Sequence, residues 1–233
     1  MQSITAFYLA SFVTAISLST LEVNSSFADQ QRKPEITARQ IEFFLTLAFG
    51  EDASAAQRRM VSGSDSARVR FNGASDKDKA SLAKAIAEIN SHAGRTFYVL
   101  ADSGASVNVS IVGPEYYIDL VPSEAKNLFA HYRYRSDRNG QITSVALVMR
   151  SNLAGIEKLR TLRRHLARAA GLVSSSNFEK RSMFYRSGTE AYEFEPMDRA
   201  ALRILGENAE LRGKTMTEVR AALEARYLGT GTP

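Results

Sequence analysis

The chain has few residues that could carry chemistry. It holds three histidines, His92, His131 and His165, and no cysteine. Disulfides, thiolate metal sites and a cysteine nucleophile are therefore excluded, and so is a lipid anchor attached through cysteine. The densest group of chemistry-bearing side chains is Arg164-His165-Leu166-Ala167-Arg168. Four residues make about one helical turn, so Arg164 and Arg168 project from the same helix face. A guanidinium stays protonated and offers a metal no lone pair, but it is a planar two-pronged donor to carboxylate or phosphate. On a 3.6-residue wheel Ile156, Leu159, Leu162, Leu166 and Ala169 form an apolar stripe. Thr161, Arg164 and Arg168 fall opposite it, with His165 at the border. Such a face could recognise an anionic or carboxylate-bearing ligand. The plainer alternative is a solvated face, ion-paired with Glu157.

Other catalytic patterns are weaker. There is no G-x-S-x-G elbow, Gly63-Ser64 has no partner, and no P-loop or G-x-G-x-x-G occurs. Ser103-Gly104 and Ser187-Gly188 read as turns. The acidic pairs Asp76/Asp78 and Glu193/Glu195 flank helix starts, where capping and the helix dipole account for them. Glu51/Asp52 is expected to be solvated. Tyr116, Tyr117, Phe129, Tyr132 and Tyr134, the last three interleaved with His131, Arg133 and Arg135, resemble a nucleic-acid surface. Packing of an insertion onto a sheet is the simpler expectation, and no nucleic-acid partner is expected.

The elements that must position these groups follow from hydrophobic period and punctuation. A helix is expected over 36–49, with Ile36, Ile41, Phe44, Leu45 and Ala48 on one face and Gly50 as its stop. Ala67-Arg68-Val69-Arg70-Phe71 reads as a half-buried strand. Ser75 then caps a helix to about residue 91, with Asp78 completing a capping box and Leu82, Ile86 and Ile89 facing the core. Strands are expected at 96–101, 105–112 and 142–150, the last after the turn Arg138-Asn139-Gly140. Residues 115–134 read as an inserted loop with a short helix. A long helix over 154–170 ends at Gly171. Pro196 opens another, and Thr215 with Glu218 caps a last one to about Tyr227. The expected class is α+β, with one mixed, twisted sheet of about four strands, a long central helix and C-terminal helices.

Composition and the first residues set the context. At 233 residues, 44% hydrophobic and 24% charged, the chain suits one globular domain. A net charge of +5 mildly favours anionic partners. Residues 4–18 are uncharged and apolar or small, and Ser26-Phe27-Ala28 precedes polar Asp29-Gln30-Gln31. This is the shape of a signal peptide, although its start lacks Lys and Arg, and the apolar run is short for a membrane span. The expected layout is a signal peptide at 1–28, a linker at 29–35, a single domain at 36–228 and a tail at 229–233. The mature protein is expected to be periplasmic or secreted, without a membrane span.

Arg164-His165-Leu166-Ala167-Arg168-Ala169-Ala170-Gly171-Leu172 resembles the frame of the metzincin helix, H-E-x-x-H-x-x-G. Ser182-Met183-Phe184-Tyr185 resembles the methionine turn that floors such sites, with Met183 and Tyr185 in structural places. Glu195-Pro196-Met197-Asp198 resembles the start of the helix that follows. In order, these motifs resemble a family of uncharacterised exported bacterial domains with a zincin-like core. Its members show A-F-G after the first helix, as in Ala48-Phe49-Gly50, and a leucine-rich helix followed by a basic-glycine stretch, as in residues 202–213. The resemblance covers residues 36–226.

The resemblance implies a metalloprotease-like fold and a substrate cleft beside the long helix. It also shows what has been lost. A zincin needs imidazoles at i and i+4 with a glutamate between them as general base. Those places hold Arg164, Arg168 and His165, and the third ligand place holds Ser174. The family tends to be acidic where Arg164 and His165 stand, so its chemistry does not carry over. The expectation is a non-catalytic binding or scaffolding protein of the cell envelope, a pseudoprotease with no catalytic residue, no metal and no cofactor. Its cleft would present Thr161, Arg164, His165 and Arg168 to an anionic envelope polymer or a protein. The alternatives are an unconventional hydrolase with an unrecognised metal or catalytic site, and a purely structural partner of an envelope complex.

Overall fold

A computed structural model describes residues 35–229 except Ala53, Ala74 and Thr189. The expected signal peptide, most of the linker and all but the first residue of the tail lie outside the described residues. Helix α1 (Ala38–Phe49) starts at Thr37, whose hydroxyl accepts from Gln40 N while Gln40 Oε1 accepts from Thr37 N at 2.9 Å. Besides the expected face, Phe43, Leu47 and Phe49 are buried, so α1 is a core helix enclosed on most sides rather than an amphipathic one.

Strand β1 (Ser62–Gly63) is two residues long, and β2 (Ala67–Asn72) follows. Helix α2 (Asp76–Ala93) buries Leu82, Ile86 and Ile89 as expected. The expected capping box is not formed. Ser75 makes no side-chain cap bond, and Asp78 instead ion-pairs with Lys158 at 2.5 Å, both side chains nearly buried. Then come β3 (Tyr98–Leu100), β4 (Val107–Val112), the short α3 (Pro114–Leu120), β5 (Ala130–Ser136) and β6 (Gln141–Arg150). Helices α4 (Gly155–Ala170), α5 (Pro196–Glu207) and α6 (Met216–Leu228) complete the chain. The Thr215–Glu218 box forms as expected, with Glu218 Oε2 accepting from Thr215 N at 2.8 Å.

The sheet runs β1-β6-β4-β2-β3 with every neighbouring pair parallel, and β5 lies antiparallel on β6. Val107, Val109 and Ile111 of β4 are buried, in register with Val145, Leu147 and Met149 of β6. Helices α2 and α4 pack against each other, and α5 packs on α1 and α2. The class is thus mixed α/β, with a parallel-dominated sheet and six α-helices among the described residues. This corrects the α+β sheet of about four strands to one of six. The longer of the two extra strands, β5, lies where a loop was expected. The Tyr-Arg alternation there is the period-two pattern of a strand, with Tyr132 and Tyr134 half-buried and Arg133 and Arg135 exposed. Among the described residues no helix is long and apolar enough to cross a membrane.

Candidate functional site

Helix α4 positions the site. Leu162, Leu166 and Ala169 are buried as the wheel predicts, but Ile156 at its start is 55% exposed. The stripe is completed by a charge. Arg163 is only 3% exposed and grips Glu88 of α2 with two bonds, Nε to Oε2 at 2.5 Å and Nη2 to Oε1 at 2.6 Å. A third goes to the Tyr192 carbonyl at 2.5 Å. This pairing fixes the rotation of α4 against α2, and so fixes which side chains face the other way.

Thr161, Arg164, His165 and Arg168, the four candidate residues, line one cleft of about 270 Å³. Its other walls are Arg160 of α4, Leu128, Phe129 and Ala130 leading into β5, and Met183 with Gly188 from the loop after α4. The face is therefore not simply solvated. Glu157 ion-pairs with Arg160 at 2.5 Å, not with Arg164 or Arg168. Thr161 Oγ1 donates to the Glu157 carbonyl at 2.8 Å, as a helical threonine often does.

Two of the cleft's arginines, Arg164 and Arg168, converge on one neutral atom. Arg164 Nη2 donates to Ser175 Oγ at 3.2 Å, and Arg168 Nη2 donates to the same hydroxyl. Arg168 also lies over the Tyr132 ring, 5.7 Å from its centre. The Nε atoms of both arginines and Nδ1 of His165 are buried without a hydrogen-bond partner. Burial, then the like charges of Arg168 and Arg160, hold Arg164 down to about 10, and burial lowers Arg168 as well. His165 is pushed down to about 3, by burial first and then by Arg168, Arg164 and His131. It is a neutral imidazole at ordinary pH, packed on Tyr132 with ring centres 5.3 Å apart.

The donor set does not fit zinc. Of the four frame positions two are guanidinium groups, which have no lone pair for a metal, and the third-ligand place, Ser174, offers only a neutral hydroxyl. The histidines do not gather. His131 adds to the field at His165, whereas His92 stacks edge-on against Phe194 at 5.6 Å. Among the described residues no three His, Asp or Glu side chains come together as a metal cage.

Met183 is buried in the cleft wall and Tyr185 closes its turn, with its N–H on the Ser182 carbonyl at 3.1 Å. Asp198 holds this turn, accepting from Ser182 Oγ at 2.6 Å, Met183 N at 3.0 Å and Glu195 N at 3.1 Å. Glu51, expected to be solvated, clamps the loop after α4, accepting from Ser176 Oγ at 3.1 Å and Asn177 N at 2.9 Å. Its neighbour Asp52 ion-pairs with Arg58 at 2.7 Å. Ser175, the shared acceptor of Arg164 and Arg168, is the partner that sequence reasoning missed. The only signal was the Ser174-Ser175-Ser176 run one turn beyond a helix carrying two arginines on one face. No family model matches the chain, and no curated protein matches it.

Proposed function

We propose that this protein is a non-catalytic binding or scaffolding module with a zincin-like core, a pseudoprotease exported to act at the cell envelope. One observation carries the reading. Where a zincin would place two imidazoles and a glutamate, Arg164, Arg168 and His165 line a cleft in which Arg164 and Arg168, unlike Arg160 beside them, have no carboxylate partner among the described residues. The order of elements supports the zincin-like core: β2, α2, the strands β3 to β6, α4, the methionine loop and α5. So does Met183, which comes from that loop to wall the same cleft as Arg168. Export rests on the apolar stretch at residues 4–18 and the small residues before position 29.

A cleft with this lining can bind and orient a ligand, but it has no group to activate water. Metal analysis of the purified chain, with a peptide-hydrolysis assay, tests the reading. We expect zinc well below one per chain, and no hydrolysis that responds to His165→Ala. Stoichiometric zinc lost on changing any of the three histidines would overturn it in favour of an unconventional metal-dependent hydrolase.

A further inference from the structure

We infer that the α4 cleft binds an amphiphilic ligand, its oxyanion head (a carboxylate or a phosphate monoester) seated between Arg164 and Arg168 and its apolar body lying along Leu128 and Phe129. The inference rests on the non-catalytic reading of this cleft and names what the cleft holds.

Charge comes first. Many arginines elsewhere in the fold have carboxylates: Arg163 has Glu88, Arg58 has Asp52, Arg95 has Asp65 and Arg220 has Glu42. Arg164 and Arg168 have none among the described residues, and no carboxylate contributes to the field at either. Two adjacent half-buried cations without a counter-charge are held at a cost, because burial and mutual repulsion both oppose ionisation. An anion between them reverses the sign of both effects.

Geometry points to the same place. Both guanidinium groups already donate to one oxygen, Ser175 Oγ, so the site has the shape of an oxyanion hole filled by a hydroxyl. Each guanidinium has five N–H donors, and both Nε donors are buried and unused. A carboxylate or phosphate supplies the further acceptors that a single hydroxyl lacks.

Size and lining give the body. A water needs only about 15 Å³ of such space, so a cleft of about 270 Å³ has room well beyond the head group. Leu128 is 51% exposed and Phe129 60%, both on the cleft wall, where an alkyl or aryl chain would cover them.

Calorimetric titration of the purified chain, at fixed ionic strength in chloride, tests each part. The probes are inorganic phosphate, acetate, octanoate, octyl phosphate below its micelle concentration, and octanol as the neutral control. We expect octanoate or octyl phosphate to bind at least about ten-fold tighter than its short counterpart, since each buried methylene adds to affinity. The tighter of the two identifies the head. Octanol binding as well as either would remove the oxyanion from the inference, and neither octyl probe binding tighter than its short counterpart would remove the apolar body.

Arg164→Gln with Arg168→Gln should keep the fold, because it relieves repulsion, and should bind about ten-fold weaker or worse. Ser175→Asp places a carboxylate in the site within the chain, so it should raise the thermal midpoint and block the probes. A double-glutamine chain that folds and binds like the original overturns the inference. Failure here and failure of the functional reading are separable. A zinc-free chain indifferent to every probe sinks only this inference. A chain that binds the probes but carries stoichiometric zinc sinks only the non-catalytic reading.

Discussion

Asp198 is buried and His165 half-buried, and their titrations pull stability in opposite directions with pH. Burial raises Asp198 to about 6 from an ordinary 3.8, against the lowering effect of its bonds from Ser182 Oγ, Met183 N and Glu195 N. Between pH 4 and 6 the unfolded chain gives up this proton first, so the Asp198 contribution falls as pH rises through that window. The difference is on the order of 3 kcal/mol. His165 is pushed down from 6.5 to about 3, so the unfolded chain takes up a proton that the folded chain refuses. Its contribution is present above pH 6.5 and is lost as pH falls towards 3. Denaturant unfolding of two single variants across pH 4 to 7 separates them. Asp198→Asn keeps acceptors for the backbone donors and should remove the loss on going from pH 4 to 6. His165→Gln should remove the acid lability and expose the Asp198 slope. Identical pH profiles for the original and both variants would refute this account.

At the scale of elements, the placement of the cleft depends on how α4 and α5 seat against α2. Gly206 in α5 illustrates the tolerance. A Cβ there would stand 2.0 Å from the Ala93 carbonyl oxygen, a backbone atom of α2 that cannot swing aside. Alanine is usually the better helix former by about 1 kcal/mol. Here Gly206→Ala should destabilise the fold by about 1–3 kcal/mol through overpacking. That is a fall of roughly 2–4 °C in thermal midpoint per kcal/mol for a chain of this size. A midpoint that rises would mean the two helices have slack. The same elements show what could be read from sequence. The apolar stripe of α4, the Gly171 stop and the Thr215–Glu218 box are local patterns, and they were legible. Strand β5 was legible in principle, but its aromatic-basic alternation lacks aliphatic residues and so reads as an inserted loop rather than a strand. The partners of Arg163, Asp78, Glu51 and Ser175 were not legible. Arg163 and Glu88 are 75 positions apart, Lys158 and Asp78 are 80, and Ser176 and Glu51 are 125, so nothing local announces these pairs. The cleft was accordingly half visible. Its helical face could be drawn on a wheel, but neither its burial nor its focus on Ser175 could.

Among the described residues, the charges of α4 that pack against α2 find opposite charges, and those of its cleft face, Arg164 and Arg168, do not. Lys158 with Asp78 and Arg163 with Glu88 both tie α4 to α2 with carboxylates on the α2 side. Losing one partner of such a pair strands a buried charge and is strongly destabilising. Arg164 and Arg168, on the same helix, carry that penalty already in the unliganded chain. A molecule stable enough to keep two uncompensated cations gives up stability for a site, as binding and catalytic surfaces commonly do. The consequence can be measured without knowing the ligand. Changing Arg164 and Arg168 to glutamine should raise stability by on the order of 1–3 kcal/mol at low ionic strength, given the depression of Arg164 to about 10 and some relief by solvent. The gain should shrink as salt is added, because screening and anion occupancy relieve the original chain but not the variant. Changing the exposed Arg133 and Arg135 of β5 in the same way should move stability by less than about 0.5 kcal/mol. Were the cleft pair no different from the β5 pair, the arginines would be ordinary surface charges. The contrast between buried and exposed cations, on which the functional proposal stands, would then fail.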